Sequence, residues 1–139
     1  MTRNAFIVKS FGFEASHQLP NHDGKCRNLH GHSYKMEVIL RGDLTEDAGS
    51  PKEGMVVDFG DVSSIVKELI IERLDHRFLA KGDEQVEIPE EQIMVLGVRT
   101  TAENIAGWAL DILLRTDLQK YVYGIRLWET TNGRAEVYV

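Results

Sequence analysis

The sequence lacks several features that define secreted, membrane-spanning and nucleic-acid-binding proteins. Its one cysteine, Cys26, has no partner for an internal disulfide, which is typical of a reducing compartment and leaves the thiol free as a ligand, nucleophile or acid–base group. The opening residues contain no long apolar run, so we expect neither a signal peptide nor a membrane span. With 22 acidic against 16 basic residues, the formal net charge of −6 argues against non-specific binding to nucleic acid. We therefore expect a cytoplasmic protein with no direct nucleic-acid partner and no membrane contact.

The composition is otherwise that of an ordinary globular protein. Hydrophobic residues make up 42% of the chain and charged residues 27%, which is typical of proteins that fold around one apolar core. At 139 residues the chain is long enough to build that core without cross-links. We find no repeat, low-complexity tract or linker, so we expect residues 1–139 to form a single domain.

Two segments near the start of the chain have the alternation of half-buried strands. In FIVKSFGFEASH, residues of one parity form an apolar face that ends in a histidine: Phe11, Phe13, Ala15 and His17. From His30 onward, a second segment places apolar and aromatic residues on one face and Ser33, Lys35 and Glu37 on the other. Consecutive strands are usually neighbours, so we expect a hairpin joined by a loop over residues 18–29.

Two later segments have the spacing of amphipathic helices. The first follows MVVDFGD, ends near ERLDHRF and carries this apolar stripe: Val62, Ile65, Val66, Leu69 and Ile70. The second begins at a predicted capping box formed by Thr100 and Glu103. Its apolar stripe consists of Ile105, Trp108, Ala109, Ile112 and Leu113. Between the two helices, residues 81–97 indicate an acidic loop with one short extended piece.

The C-terminal segment YGIRLWETTNGRAEVYV indicates a second hairpin, because Asn132-Gly133 lies between two extended runs. The predicted element order is therefore strand, strand, helix, helix, strand, strand. This order is typical of an α+β domain in which a four-stranded antiparallel sheet carries both helices on one face.

Three histidines lie where the first two predicted strands meet. His17 ends the first strand, and His30 and His32 open the second strand on one face. In an antiparallel hairpin these ends are adjacent, so the three imidazoles would converge. Three protein nitrogens with one open position are typical of a catalytic zinc site. Any one of these histidines alone would more often be a surface or core residue, and His22 in the loop is predicted to be solvated.

Cys26 lies in the loop beside this predicted metal site, and the residues alone leave its role open. As a fourth ligand the thiolate would close the site, whereas a free thiol would be available for acid–base chemistry. The default for a lone cysteine is a small buried residue. The flanking Lys25 and Arg27 argue against an apolar setting and favour the thiolate.

Two further stretches each have two interpretations. In RLDHRF, Asp75 and His76 are either a charge pair at a helix end or an imidazole oriented by a carboxylate for proton transfer. In IRLWET, Glu129 ends an apolar row that contains Ile125 and Leu127. A carboxylate in such a row needs a cation or a ligand with hydrogen-bond donors.

Taken together, these motifs resemble one known family. The set FEASH…KCRNLHGH…VVDFGD…LDHRFL…TAEN…WET, from about Phe11 to Glu129, is similar to the 6-pyruvoyl-tetrahydropterin synthase family. The specific part is Cys-x3-His-Gly-His with an upstream Phe-x-x-x-His and a downstream Leu-Asp-His. The short gap between the cysteine and His-Gly-His favours the branch that forms 6-carboxytetrahydropterin for queuosine and other deazapurines.

The resemblance implies a tunnelling fold (T-fold) and a defined assembly. In that fold four antiparallel strands carry two helices, trimers close a barrel, and two trimers form a homohexamer. It also implies a Zn²⁺ ion held by His17, His30 and His32.

For catalysis, the resemblance implies that Cys26 is the proton acceptor and that His76, assisted by Asp75, forms a proton relay. Glu129 would anchor the pterin ring, with Thr101 and Ala102 nearby. The implied substrate is 7,8-dihydroneopterin triphosphate, which is converted to 6-carboxytetrahydropterin with release of acetaldehyde and triphosphate.

Some features depart from the family pattern or leave alternatives open. Relatives often have Asn-Pro-Thr before the second helix, where this chain has Arg99-Thr100-Thr101 and an acidic insertion over residues 83–91. Candidate cations for the triphosphate are Lys25, Arg27 and Arg99. The alternative functions are a 6-pyruvoyl-tetrahydropterin synthase, a folate-pathway lyase of the pterin side chain, and a non-catalytic zinc-stabilised binding module.

Overall fold

A long antiparallel hairpin is the centre of the fold in the computed structural model, which describes residues 3–139. Strand β1 (Asn4–His17) pairs with strand β2 (His30–Asp43) along its whole length. At one end of the ladder His17 lies opposite His30. The connecting loop therefore leaves and re-enters the sheet at two histidines, as the sequence predicts.

Two further pairs of strands flank this hairpin. Strands β3 (Arg77–Ala80) and β4 (Ile93–Val95) lie on the β1 side, and strands β5 (Val122–Thr130) and β6 (Gly133–Tyr138) lie on the β2 side. The order across the sheet is β4-β3-β1-β2-β5-β6. The β1–β3 and β3–β4 pairs are parallel, and the other pairs are antiparallel. Over residues 3–139 the sheet thus has six strands and is mixed.

The α+β class is confirmed, but the expected four-stranded antiparallel sheet and the element order ββααββ are wrong. Strands β3 and β4 lie between the two helical segments in the chain. Strand β3 pairs with β1 at only two positions, and three of its four residues are buried, so it has no alternation to detect. Strand β4 has only three residues. Such short strands are specified by their tertiary neighbours rather than by a pattern of their own.

The first helical segment is one continuous but irregular element. Helix α1 (Phe59–Val66) continues through a π-helical turn (Lys67–Ile71) into the short α2 (Glu72–Leu74). Asp58 caps its start, because the side chain accepts a hydrogen bond from the backbone N–H of Gly60 at 2.7 Å. The predicted apolar stripe is confirmed by the full burial of Val62, Val66 and Ile70.

Helix α3 (Ala102–Leu113) begins one residue later than the predicted capping box implies. The N-cap is Thr101, whose hydroxyl accepts from the backbone N–H of Asn104 at 3.2 Å. Thr100 is fully buried instead. Adjacent threonines give the same capping signal, so the sequence alone does not distinguish them.

Both helical segments pack on one face of the sheet. The side chains of one parity on β1 and β2, together with Ile125 and Leu127 of β5, form one apolar cluster with the helix stripes. The C-terminal hairpin is confirmed, although its two-residue turn is Thr131-Asn132, because a register shift in β5 moves the turn by one residue. Among the described residues, no helix is long and apolar enough to cross a membrane.

Candidate metal centre and its surroundings

Three imidazoles meet at the end of the central hairpin. His17 pairs directly with His30, and His32 lies two residues further along β2 on the same face. Nε2 of His17 is 2.9 Å from Nε2 of His30 and 3.2 Å from Nε2 of His32. Nitrogens that bind one zinc ion at about 2.0–2.1 Å with tetrahedral angles lie roughly 3.3 Å apart. The three side chains are thus spaced almost as ligands of a single metal ion, and the predicted convergence is confirmed.

The tautomers of two of these rings also fit a metal site. Nδ1 of His17 lies 2.7 Å from the carbonyl oxygen of Thr100, and Nδ1 of His30 lies 2.7 Å from that of Asn28. A carbonyl oxygen only accepts hydrogen bonds, so each neutral ring carries its proton on Nδ1 and a lone pair on Nε2. Two lone pairs that face each other at 2.9 Å repel unless a cation lies with them. A second hydrogen bond that fixes the tautomer in this way is typical of histidines that bind metals.

Burial favours the neutral form of two of the three histidines, His17 and His32. The side chain of His17 is 1% exposed, and desolvation lowers its pKa from 6.5 to about 4, with a smaller contribution from the neighbouring His30 and His32. The hydrogen bond to Thr100 acts in the opposite direction but is weaker. Burial also lowers the pKa of His32. At neutral pH these two nitrogens need not lose a proton before they bind a metal.

Glu129 lies beside the histidine cluster. Its Oε1 is 3.8 Å from Nε2 of His17, and its side chain is 30% exposed. The apolar row that it ends is confirmed, since Ile125 and Leu127 are fully buried. Glu129 lines a cavity of about 330 Å³ together with Ala102 at the start of α3. Among residues 3–139 no lysine or arginine pairs with it, so its carboxylate is available to a ligand.

Tyr34 forms the inner wall of the site. Its ring stacks on the ring of Phe13, with the two centroids 4.9 Å apart. The rings of His17 and His32 meet it edge-on, at centroid distances of 6.3 and 5.4 Å. The side chain is 2% exposed, and its hydroxyl has no hydrogen-bond partner within the described part of the chain. Burial, followed by the negative charges of Glu129 and Cys26, raises the pKa of Tyr34. The phenol is therefore neutral at neutral pH.

Cys26 lies in the loop that joins the histidine-bearing strands. It occupies a single 3-10 turn (Lys25–Arg27) and is half-buried. Its carbonyl oxygen accepts a hydrogen bond from the backbone N–H of Leu19 at 2.7 Å. Within residues 3–139, the cluster of potential metal ligands contains the three histidines and does not include this thiol. The geometry thus favours a three-ligand site with an open position.

Asp75 and His76 form a tight turn between α2 and β3, at the predicted end of the first helical segment. Nδ1 of His76 lies 3.0 Å from Oδ1 of Asp75, and the same oxygen accepts from the backbone N–H of Glu14 at 2.8 Å. The N–H of His76 donates to the carbonyl oxygen of Glu14 at 2.6 Å. These hydrogen bonds, that from Glu14 first, lower the pKa of Asp75. They hold His76 at a positive φ of 59° while its side chain is 78% exposed.

An open surface cavity lies between His76 and the metal site. His76 and His32 line one open cavity of about 630 Å³, on the β1–β3 side of the sheet. Nevertheless, within the described residues His76 makes no hydrogen bond to Cys26 or to the histidine cluster. A single chain thus places the predicted relay near the metal site without joining the two.

Comparison with known proteins agrees with this geometry. The family model for 6-pyruvoyl tetrahydropterin synthase matches residues 6–138. The chain belongs to this family. It is 43% identical over 141 residues to the 6-carboxy-5,6,7,8-tetrahydropterin synthase of Haemophilus influenzae, and the alignment covers 94% of this chain and 96% of that protein. The resemblance inferred from the motifs is therefore confirmed.

More distant members of the family share the fold. The 6-pyruvoyl tetrahydrobiopterin synthase of Dictyostelium discoideum is 30% identical over 143 residues, covering 96% of this chain and 95% of that protein. The structure of Plasmodium falciparum 6-pyruvoyl tetrahydropterin synthase superposes with a TM-score of 0.77 at 22% identity, covering 98% of this chain and 99% of that chain. The alignment covers almost the whole chain, including strand β3, which the sequence did not predict, and strand β4, which is the short extended piece expected within residues 81–97.

The remaining predicted site residues have mixed surroundings. Thr101 caps α3, and the neighbouring Ala102 reaches the cavity that Glu129 lines. Lys25 and Arg27 are exposed and form no ion pair among residues 3–139. Arg99, by contrast, is bound to Asp83 through two hydrogen bonds of 2.9 Å. Its charge is already paired, so it is the weakest of the three triphosphate candidates.

Three contributors to the site are absent from the sequence-based prediction of site residues. Thr100 and Asn28 act through backbone carbonyl oxygens, which leave no side-chain signal in a sequence. Tyr34 could have been found, because it follows His32 by two residues and must share its face.

Proposed function

We propose that this chain is a zinc-dependent 6-carboxytetrahydropterin synthase. It would convert 7,8-dihydroneopterin triphosphate to 6-carboxy-5,6,7,8-tetrahydropterin, with release of acetaldehyde and triphosphate, in the pathway to queuosine and related deazapurines. The observation that carries the proposal is the convergence of three imidazoles, two of them with tautomers set by backbone carbonyls. The name of the Haemophilus influenzae relative supports the choice of product.

The three histidines would hold the zinc ion through their Nε2 atoms. When bound, zinc would supply a Lewis acid that polarises oxygen atoms of the substrate side chain. The contribution of the chain is to present neutral rings in fixed orientations. Burial of His17 and the carbonyl oxygens of Thr100 and Asn28 provide this.

Glu129 would anchor the pterin ring by accepting hydrogen bonds from its amino and ring N–H groups. The carboxylate faces a cavity and lies 3.8 Å from Nε2 of His17. A pterin bound to it would therefore have its side chain close to the metal ligands. Thr101 and Ala102 would contribute to the adjoining wall.

Cys26 would accept the proton, and His76, oriented by Asp75, would relay it. The side chain of His76 is exposed although the backbone around it is firmly held. An exposed ring with a fixed orientation is suited to a site completed by another subunit. We therefore include a homo-oligomer in the proposal, a dimer of trimers, in which His76 of one chain serves the loop of its neighbour. Lys25 and Arg27, exposed beside Cys26, would bind the triphosphate.

Product analysis tests the proposed reaction. The purified protein, loaded with zinc, is incubated with 7,8-dihydroneopterin triphosphate, and the pterin products are identified by mass spectrometry. We expect 6-carboxytetrahydropterin and acetaldehyde. The Dictyostelium discoideum relative makes a pyruvoyl product the leading alternative, and a hydroxymethyl product would indicate the folate-pathway lyase.

Metal content tests the division of roles between the thiol and the histidines. Cys26→Ala should retain about one zinc per chain and lose turnover, because the thiol is not part of the ligand cluster. His30→Ala should lose both zinc and turnover, while His22→Ala, a matched change in the exposed loop, should keep both. Loss of zinc from Cys26→Ala would instead support a closed four-ligand site and the non-catalytic module.

Complementation tests the shared site. Cys26→Ala and His76→Ala are each expected to be inactive, but chains unfolded and refolded together should recover a fraction of wild-type activity. Some interfaces in the mixed oligomers would unite an intact Cys26 with an intact His76. Mixing the two variants without unfolding is the control. Mixed oligomers, identified by mass, that are no more active than the parents would exclude a site formed between subunits.

A further inference from the structure

The acidic segment 83–91 is fastened to the rest of the chain next to the metal centre. The carboxylate of Asp83 and the guanidinium of Arg99 form two parallel hydrogen bonds of 2.9 Å each. This fork-to-fork geometry is the most directional form of ion pair available to side chains. The hydrogen bonds from Arg99 lower the pKa of Asp83, so the pair is charged on both sides at neutral pH.

The turn that presents Asp83 is itself well ordered by hydrogen bonds. The side chain of Glu84 is 1% exposed and accepts from the backbone N–H groups of Lys81, Gly82 and Asp83 at 2.8, 2.9 and 3.1 Å. One guanidinium nitrogen of Arg99 lies 3.8 Å from the Glu84 carboxylate. Arg99 thus meets a preorganised acidic turn rather than a single flexible side chain.

Arg99 in turn adjoins the backbone group that orients a proposed zinc ligand. The carbonyl oxygen of Arg99 accepts from Nδ2 of Asn104 at 2.9 Å, which ties it to helix α3. The next residue, Thr100, is fully buried, and its carbonyl oxygen lies 2.7 Å from Nδ1 of His17. The path from Asp83 to His17 therefore runs through one ion pair, the side chain of Arg99, the backbone from Arg99 to the Thr100 carbonyl group, and one hydrogen bond.

We propose that Asp83 and Arg99 are positioning residues of the metal centre, because they hold the Thr100 carbonyl in the place where it orients His17. This inference rests on the proposed metal site and deepens it. It gives the acidic insertion a function in metal binding, although none of its carboxylates touches the metal ligands. The simpler alternative is that the pair only tethers a surface loop, since exposed ion pairs contribute little to stability.

The test compares charge-neutralising variants within the same segment. Asp83→Asn removes the ion pair, and Glu91→Gln is the matched control, because Glu91 is exposed and makes no hydrogen bond or ion pair in the described part of the chain. The full-length protein is stripped and reloaded, zinc affinity is measured by competition with a chromophoric chelator, and the Co²⁺ form is examined by its visible absorption. Changes to groups that orient metal ligands typically weaken binding by about 10–100-fold. One step further out, we expect Asp83→Asn to weaken zinc binding by roughly 3–10-fold and to alter the Co²⁺ bands, with no change in Glu91→Gln.

Arg99 variants separate positioning from a general loss of folding. Arg99→Lys keeps the charge but loses the two-pronged geometry, so its zinc affinity should be intermediate. The single variant Arg99→Gln and the double variant Asp83→Asn/Arg99→Gln complete a double-mutant cycle. The double variant should bind zinc no more weakly than whichever of Asp83→Asn and Arg99→Gln has the lower affinity, because both changes break the same link. Circular dichroism and oligomer mass confirm that each variant is folded.

The outcomes distinguish this inference from the proposed function. If Asp83→Asn and Arg99→Lys bind zinc like the wild type, with unchanged Co²⁺ bands, the pair is only a loop tether and the inference is overturned while the metal site stands. If the wild-type protein itself binds no zinc, both are overturned.

Discussion

Acidification should destabilise the metal-free protein between about pH 6.5 and pH 4, and His17 should be the main cause. Burial lowers the pKa of His17 in the folded chain to about 4, whereas the unfolded chain has the ordinary value of 6.5. As the pH falls below 6.5, the unfolded state therefore takes up a proton that the folded state does not. The stability linked to the neutral ring is fully present above pH 6.5 and is lost progressively as the pH approaches 4.

The size of the effect follows from the difference between the two pKa values. At about 1.4 kcal/mol per pH unit, lowering the pH from 6.5 to about 4 corresponds to a loss of about 3 kcal/mol in the free energy of unfolding. Solvent screening does not reduce this figure much, because the side chain is 1% exposed. A loss of this size is a large fraction of the stability of a typical domain.

Urea unfolding of the metal-stripped protein measures this loss. Unfolding is followed by tryptophan fluorescence at several pH values and at one chain concentration, since assembly would otherwise affect the result. Wild type should lose about 3 kcal/mol more than His17→Gln across the window. His22→Gln should behave like wild type, because His22 is an exposed loop residue.

An equal pH dependence in wild type and His17→Gln would refute the reasoning. It would mean that His17 is accessible to protons in the folded chain. The ring would then not be held neutral by burial, and the argument that the apo site is ready for a metal would fail with it.

Three further predictions concern single side chains around the site and the sheet. Tyr34→Phe should leave the free energy of unfolding unchanged or raise it by up to about 1–3 kcal/mol, because the buried hydroxyl has no partner among residues 3–139; a loss in urea unfolding would reveal a hydrogen bond from another subunit. Gly124→Ala should lower the free energy of unfolding by about 2 kcal/mol or more, because the new Cβ would lie 2.7 Å from the carbonyl oxygen of Val137. The matched change Gly107→Ala on helix α3 places its Cβ where no atom lies within 4 Å, so it should raise the free energy of unfolding by about 0.5–1 kcal/mol in the same urea measurement. Glu129→Gln should weaken pterin binding in calorimetry by roughly 2–4 kcal/mol with unchanged zinc content, and unaltered affinity would contradict the proposed anchor.

The histidine cluster was predictable because its geometry is local. Strand alternation determines which face His30 and His32 share, and a hairpin necessarily brings the end of one strand to the start of the next. Both rules depend only on neighbouring residues. The same rules locate Glu129 at the end of an apolar row, and the structure places it beside His17.

The parts that sequence patterns missed depend on tertiary contacts. Strand β3 exists because β1 offers a free edge, and it pairs there at two positions only. The Thr100 carbonyl reaches His17 from 83 residues away, through an atom that every residue possesses. No pattern in the sequence predicts the ion pair between Asp83 and Arg99, because two residues 16 positions apart in a loop have no fixed spatial relation before the chain folds.

The placement of the site residues on strands and loops matches the roles proposed for them. His17 has the same parity on β1 as Phe11 and Phe13, so any slip of the β1–β2 register that moved the histidine would expose buried aromatic residues as well. The metal ligands are therefore held by the stability of the core and not only by their own hydrogen bonds. Cys26, by contrast, lies in a single turn of the connecting loop, where its carbonyl oxygen accepts a backbone hydrogen bond from the N–H of Leu19, another loop residue. A rigid ligand set suits a metal ion that demands fixed geometry, and a more adjustable thiol suits a group that must approach a substrate carbon and then retreat.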